Sequence, residues 1–198
     1  GIGGLVAIKG GEMAQRYSAA VAEVEQYQEQ HQGAAQTSVG QRLAHWQLAW
    51  EMGRDKPLTG WGLQGYIDEK ERRVQAGRAS TSVLGYDHAH NEVLDMFAKR
   101  GLIGVALLLV FYAVPLAIFW PSQRRMAKCP GTPMDRQILY LRMLGTMVPL
   151  CYMGFGLTQV FFAHNSGHMF YVYMLVVLLG ALIGCERALA MMCHTAKP

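Results

Sequence analysis

Residues 101–120 (GLIGVALLLVFYAVPLAIFW) form a run of 20 residues without a charged side chain. At a rise of about 1.5 Å per residue, a helix of this length crosses the hydrocarbon core of a bilayer, which is about 30 Å thick. The sequence therefore predicts a transmembrane helix, with Pro115 inside it at a position that membrane helices tolerate better than soluble ones do. This segment excludes an all-soluble globule.

Two more apolar segments follow the first. Residues 138–160 predict a second span, with Arg142 near its start, where a long side chain can extend to the membrane interface. Residues 169–185 predict a third span, at the short end of the spanning range, with aromatic residues near its beginning that suit the interface. We expect an all-α, polytopic membrane protein, with these three spans preceded by a helical domain outside the bilayer.

The charges differ between the two halves of the chain. Residues 9–100 contain 11 Lys and Arg against 12 Asp and Glu, whereas residues 101–198 contain 7 against 2. A basic half that consists mainly of apolar spans is typical of membrane proteins and not of nucleic-acid binding, so no nucleic-acid partner is expected.

The loop between the first two spans sets the predicted orientation. It carries four basic residues against one acid: Arg124, Arg125, Lys128 and Arg136. The positive-inside rule places this short loop in the cytoplasm. Alternation then places residues 186–198 in the cytoplasm, and residues 9–100 and 161–168 outside it.

The outer region, residues 9–100, contains two predicted helices. Residues 12–31 have apolar side chains at helical spacing with glutamates turned away from them, which indicates an amphipathic helix. A second helix is predicted from about residue 41 to residue 52, with Thr37 or Ser38 able to cap it.

The remaining parts of the outer region are predicted to be irregular. Proline and three glycines make residues 57–65 a turn-rich segment around Trp61, and residues 72–82 read as a polar loop. The apolar residues 1–8 are too short to span a bilayer, and we expect them to be the end of a preceding apolar segment, so that the chain is the later part of a longer protein.

The richest group of polar side chains lies just before the first span, in YDHAHNEVLDMFAKRGLIGV. His88 and His90 carry imidazoles, which can take up a proton near neutral pH, and Asn91 could orient a histidine or a substrate hydroxyl. On this local view, an interfacial histidine that only satisfies backbone groups is the plainer alternative.

A second group lies on the predicted helix 41–52. Arg42, His45 and Trp46 are spaced i, i+3 and i+4, which places them on neighbouring faces. A guanidinium can bind two phosphate oxygens with its planar fork, so Arg42 is a candidate phosphate ligand. The alternative is a solvated arginine on an amphipathic helix.

His164 and His168, in FAHNSGH, could join His88 and His90 to bind zinc, but the spacing matches no strong metal motif, so no metal is expected. The four cysteines also lack metal or redox spacing, and we interpret them as inert thiols. They are Cys129, Cys151, Cys185 and Cys193.

The histidine segment resembles the O-antigen ligase and polymerase superfamily. His90 and Asn91, nine residues, Gly101, two residues and Gly104 reproduce its pattern of histidine, a small polar residue and two spaced glycines. Arg42 followed by HWQLAW, and the turn PLTGWGLQGY, occur in that family in the same order. The resemblance covers roughly residues 39–116.

This resemblance implies a GT-C type glycosyltransferase of the bacterial inner membrane whose active site faces the periplasm. Such enzymes move a glycan from undecaprenyl diphosphate to an acceptor, without nucleotide, metal or other cofactor. By this analogy His90 is the general base and Arg42 stabilises the diphosphate. The candidate substrate-binding residues are Asn91, His88, Trp46 and His164. The family has about a dozen spans, so this chain is expected to supply only part of the site.

The leading hypothesis is an O-antigen ligase, whose acceptor is the lipid A core oligosaccharide and whose surroundings are membrane lipids. An O-antigen polymerase and a protein O-oligosaccharyltransferase are the nearest alternatives. A transporter with a histidine-lined external vestibule is an alternative from another class. A transporter favours ionisable residues deep in its spans, whereas the three predicted spans contain only Arg142.

Overall fold

The computed structural model describes residues 37–122, 125 and 132–195, and the isolated positions 15, 16, 18, 19, 21 and 22. The predictions for residues 1–8, most of helix 12–31 and most of the basic loop lie outside the described residues. Within the described residues there are helices and no strand, which confirms the all-α class. The elements are α1 (Ser38–Asp55), α2 (Leu63–Gln75), a 3-10 helix (Thr81–Gly85), α3 (Glu92–Phe119), α4 (Pro133–Gly156) and α5 (Asn165–Thr195).

Helices α3, α4 and α5 are each long and apolar enough to cross a membrane. Each predicted span falls on one of these helices, although the helices begin and end at other residues than the apolar runs do. Helix α3 begins at Glu92, before the apolar run starts, and α4 ends at Gly156, so that residues 157–160 form a loop. The limits of the bilayer along these helices stay predictions.

Helix α4 lies between α3 and α5. Its Gly145 packs against Phe119 of α3, and a methyl group at Gly145 would lie 2.1 Å from that ring. Arg142, which we expected to extend to the membrane interface, is 5% exposed, donates to the carbonyl of Ile118 at 2.9 Å and pairs with Glu186. The carboxylate of Glu186 is partly exposed, so the ion pair joins a buried guanidinium of α4 to the surface of α5.

The head region, residues 37–100, packs around its own apolar core. This core joins α1, α2, the 3-10 helix and the first turns of α3: Ala44, Leu48, Ala49, Met52, Tyr66, Val83, Ala89 and Ala98. The predicted helix cap is confirmed, since the Thr37 hydroxyl accepts from the amide of Gly40 at 3.0 Å.

The predicted polar loop 72–82 is wrong in its first part, because residues 72–75 are the last turn of α2. There Arg73 is buried and pairs with Glu69 at 2.7 Å, with Glu51 at 3.5 Å and with Asp55. Ion pairs hold this turn against α1, together with the apolar contact of Val74 with the core of the head region. A reading of apolar periodicity does not detect such a helix.

The cysteines follow the prediction in part. Cys151 and Cys185 are free thiols, whereas Cys193 is disulfide-bonded. The expectation of an inert thiol is therefore wrong for Cys193, because spacing along the sequence does not show which cysteines meet in space.

Helix α3 is interrupted at Gly101, whose φ of 64° and ψ of −160° are not helical. The backbone groups on both sides of this break pair with the turn 57–62. Four main-chain hydrogen bonds make the connection: Trp61 N to Ala98 O at 3.0 Å, Gly62 N to Lys99 O at 2.8 Å, Leu102 N to Pro57 O at 2.7 Å and Ile103 N to Leu58 O at 3.3 Å. The turn thus replaces the helical hydrogen bonds that the break removes.

Two glycines make this approach possible. Gly101 and Gly60 both have positive φ, and a methyl group on Gly101 would lie 2.3 Å from the backbone of Leu58. A methyl group on Gly60 would lie 2.4 Å from the backbone of Lys99. Backbone atoms cannot move away as a flexible side chain can, so neither position accepts a larger residue without displacing the turn.

We expect Gly101→Ala to destabilise the protein strongly. The left-handed φ alone costs about 1–3 kcal/mol for a residue with a side chain, and the clash with the turn adds to it. Thermal unfolding of the detergent-purified protein measures the effect. Gly180→Ala on α5 is the matched control, because that glycine is helical and nothing lies within 4 Å of the added methyl. Equal melting temperatures for the two variants would contradict the role of the break.

Candidate active site

The histidine motif occupies the short connection between the 3-10 helix and α3. His90 has a φ of 52°, which makes it the only non-glycine residue with positive φ among the described residues. Its carbonyl accepts a hydrogen bond from the indole of Trp46 at 3.3 Å. Asn91 then begins α3, since its side-chain oxygen accepts from the amide of Leu94 at 3.0 Å. A left-handed residue followed by a cap turns the chain sharply at His90.

Two buried lysines hold this connection from inside the head region. Lys70 is 1% exposed and donates to the carbonyl of Tyr86 at 2.8 Å. Lys99 is 5% exposed, donates to the carbonyl of Asp87 at 2.8 Å and pairs with Asp95 at 2.8 Å. Sequence reasoning missed the role of both lysines, because a lysine that binds main-chain carbonyls has no pattern along the chain.

Three rings lie around His90, and a fourth lies next to one of them. The ring centroid of His90 lies 4.4 Å from His88, 4.6 Å from Tyr86 and 5.4 Å from His45. His164 joins from the loop 157–164, 5.9 Å from His88. The structure thus brings together three of the predicted site histidines and adds His45.

The fourth outer histidine, His168, lies apart from this cluster, beside the groove between α3 and α5. Within the described part of the chain, no group of three or more His, Cys, Asp or Glu side chains could hold a metal ion.

His45 is fully buried, and neither ring nitrogen has a hydrogen-bond partner among the described residues. Burial, with smaller contributions from the charges of His90 and Lys70, lowers the pKa of His45 to about 4. Burial also lowers the pKa of His88, and a charge on His90 would lower it further. Both rings are therefore neutral at neutral pH.

Arg42 lies on α1 one turn before Trp46, whose indole contacts the His90 carbonyl. The Arg42 side chain is exposed and makes no ion pair or hydrogen bond with other described residues. Buried Arg73 and Arg142 have carboxylate partners, so Arg42 differs from both. Its charge is available to an anion near His90.

The loop 157–164 is fixed to the histidine motif. Three hydrogen bonds make this attachment: His90 Nδ1 to Gln159 Oε1 at 3.2 Å, Asn91 Nδ2 to Leu157 O at 3.0 Å and Phe162 N to Glu92 Oε2 at 3.1 Å. Sequence reasoning missed Gln159 and Glu92. Gln159 falls within the predicted second span, where nothing in the hydropathy marks it as part of a site.

The family is shown by sequence comparison as well as by this arrangement. The family model described as O-antigen ligase matches residues 2–109, which is more than half of the chain. The chain belongs to the O-antigen ligase family. Together with the three long apolar helices, this identifies a membrane protein of the ligase type.

A protein of Haemophilus influenzae described as uncharacterized is 27% identical to this O-antigen ligase family member over 159 residues. The match covers 79% of this chain and 37% of that protein. The chain therefore spans little more than a third of the length of this relative.

An apolar groove of about 870 Å³ runs between α3 and α5 of this ligase family member. Its lining is almost entirely aliphatic and aromatic, with Arg100 and His168 as the basic exceptions. Arg100 lies near the N-terminal end of the part of α3 that lines the groove, and His168 lies near the N-terminal end of α5. The groove thus combines an apolar lining with two basic side chains.

We expect the stability of this family member to fall on acidification through a window that His45 sets. Folded protein keeps His45 neutral to about pH 4, whereas an unfolded chain protonates a histidine near its usual pKa of 6.5. The unfolded state therefore binds more protons between these values, so the free energy of unfolding decreases as the pH falls from 6.5 towards 4.

His45→Phe tests this, because a ring of similar size replaces one whose nitrogens have no partner among the described residues. The drop in melting temperature between pH 7 and pH 5 should be smaller in His45→Phe than in the wild type. His168→Phe, at a half-buried histidine of α5, should keep the wild-type drop. An unchanged drop in His45→Phe would show that other groups cause the acid sensitivity.

Proposed function

We propose that the chain is the part of an O-antigen ligase that carries the general base. The enzyme joins a polysaccharide carried on undecaprenyl diphosphate to the lipid A core oligosaccharide, at the periplasmic face of the inner membrane. The observation that carries the proposal is His90, held in a left-handed turn whose carbonyl accepts from Trp46, one helical turn after Arg42, an exposed arginine without an ion pair among the described residues.

In the proposed reaction, His90 removes the proton from an acceptor hydroxyl as the oxygen attacks the anomeric carbon. The bond between that carbon and the phosphate oxygen breaks, and undecaprenyl diphosphate leaves with the bonding electrons. A neutral imidazole is suited to this step because its basicity is matched to neutral pH.

Arg42 stabilises the diphosphate, on which negative charge increases as the glycosidic bond breaks. A positioned cation acts most strongly where charge develops, and a guanidinium can bind two phosphate oxygens together. The absence of a carboxylate partner among the described residues supports this role, since a paired guanidinium would have to exchange one anion for another.

The other proposed site residues surround these two. Trp46 follows Arg42 by one turn of α1 and donates to the His90 carbonyl, and the rings of His88 and His164 lie 5.9 Å apart, where we propose that a sugar packs. Both ends of the Asn91 side chain already make hydrogen bonds within the protein, so we propose that it organises the site, and its direct contact with substrate stays a prediction. The apolar groove, with Arg100 among its lining residues, supports a lipid-linked substrate.

His90→Asn should reduce glycan transfer by about 10²- to 10⁴-fold, the usual contribution of a general base. Asparagine tolerates a left-handed φ better than alanine does, so this variant removes the base with little added strain. Transfer is measured with the full-length protein, lipid-linked glycan and lipid A core. The melting temperature and binding of the lipid-linked donor should stay close to wild type.

Three results would count against the proposal. Near-normal transfer by a folded His90→Asn protein would exclude His90 as the base. Glycan added to a second lipid-linked glycan would indicate a polymerase, and glycan added to a protein would indicate a protein O-oligosaccharyltransferase.

Arg42→Ala should slow transfer by about 3–4 kcal/mol in activation free energy, as removal of one preorganised stabilising group does elsewhere. Arg42→Lys should restore part of the loss, because it keeps the charge and loses the fork. Arg54→Ala is the matched control, an exposed arginine three turns further along α1. Equal rates for Arg42→Ala and Arg54→Ala would leave Arg42 as a solvated surface residue.

A further inference from the structure

We infer that Gln159 is a positioning residue that fixes the tautomer of His90 and thereby makes Nε2 the basic nitrogen. The inference rests on the proposed function, in which His90 is the general base. It adds a second residue of the loop 157–164, beside His164, to a site whose other proposed residues all precede the first predicted span.

The contact itself sets the tautomer. His90 Nδ1 and Gln159 Oε1 are 3.2 Å apart. An amide oxygen can only accept a hydrogen bond, so Nδ1 is the nitrogen that carries the proton. A neutral imidazole has one N–H, which leaves Nε2 with a free lone pair. The ring therefore presents a base on the side opposite Gln159.

The surroundings of Gln159 hold it in place. The main-chain N–H of Gln159 donates to the carbonyl of Phe155 at 3.1 Å, a bond with helical spacing that follows the end of α4. Asn91 and buried Glu92, the two residues after His90, bind the loop at Leu157 and Phe162 on either side of Gln159. Three consecutive residues, His90 to Glu92, thus bind three positions of one loop, which holds the backbone of Gln159 beside His90 while its side chain is exposed.

The other described side chains around His90 contact its ring without a hydrogen bond that would select a tautomer. His45 approaches from α1, and Tyr86 and His88 approach from the same connection, all of them through ring contacts. The buried lysines bind main-chain carbonyls behind the connection. Among the described residues, Gln159 is the side chain that hydrogen-bonds to the ring of His90.

A neutral amide orients the ring without adding charge. A carboxylate in its place would keep the acceptor and would also stabilise the imidazolium, so His90 would take up its proton at higher pH. An apolar residue would remove the acceptor and leave both tautomers accessible. Glutamate and leucine at position 159 therefore have different expected effects.

The test compares Gln159→Leu and Gln159→Glu in the full-length enzyme, with Gln75→Leu as the control at an exposed glutamine that ends α2. Gln159→Leu should lower kcat by roughly 10- to 100-fold, as loss of an orienting partner does in other sites, with KM for the donor little changed. Gln159→Glu should transfer glycan at close to the wild-type maximal rate, with the acidic limb of its pH profile moved to higher pH.

A loss in Gln159→Glu as large as that in Gln159→Leu would overturn the inference, because it would mean that the amide nitrogen donates to the ring. So would a wild-type rate and pH profile in Gln159→Leu while His90→Asn remains inactive, a result that would leave the proposed function intact. Unchanged kinetics in Gln75→Leu are expected if the effect belongs to the contact with His90.

The tautomer can also be read without any measurement of activity. Nitrogen-15 shifts of histidine-labelled enzyme in nanodiscs distinguish a protonated Nδ1 from a protonated Nε2, and the His90 signal is the one that His90→Asn removes. We expect a protonated Nδ1 in the wild type and a mixture in Gln159→Leu. A protonated Nε2 in the wild type overturns the inference. A protonated Nδ1 together with normal transfer by His90→Asn supports the contact and excludes the proposed function.

Discussion

The pairing of the turn 57–62 with the break at Gly101 is the interaction on which the arrangement of the site depends. Four main-chain groups on either side of the break form hydrogen bonds to the turn in place of helical ones, so α3 is joined through main-chain atoms to the head region. The turn connects α1 to α2, and its fixed position sets where Trp46 meets the carbonyl of His90. A side-chain contact could not join a membrane helix and the head region with so little freedom, because side chains have rotamers and a paired main chain has none.

This connection explains which features the sequence could predict and which it could not. The three spans follow from the lengths of their apolar runs, the cap at Thr37 follows from residue type, and the glycine at position 101 belongs to the motif that pointed to the family. The last turn of α2 and the contact of Gln159 depend on partners far away in the chain. Ion pairs of Arg73 help to hold the last turn of α2, and Gln159 lies in a loop that falls within the predicted second span. Neither position is marked by the apolar pattern around it.

Charged groups also hold the connection that carries His90, and the energetics explain why they are buried. The left-handed φ of His90 costs about 1–3 kcal/mol and persists only where the surroundings fix it. Lys70 and Lys99 fix it through carbonyls just before the histidines, without placing apolar side chains against the ring. Removing one partner from a buried pair such as Lys99 and Asp95 typically costs about 3–5 kcal/mol. This cost exceeds the strain energy of the left-handed His90, so the buried pair can stabilise the connection against that strain.

The neutral state of His45 matters for the same reason in the proposed reaction. When His90 takes a proton from the acceptor, its ring becomes a cation whose centroid lies 5.4 Å from that of His45. Two unit charges at that separation repel by about 3 kcal/mol at an effective dielectric constant of about 20. A charged His45 would therefore oppose the proton transfer by roughly 100-fold. Burial keeps His45 uncharged and removes this opposition, while Arg42, for which we propose the stabilisation of the leaving diphosphate, remains exposed.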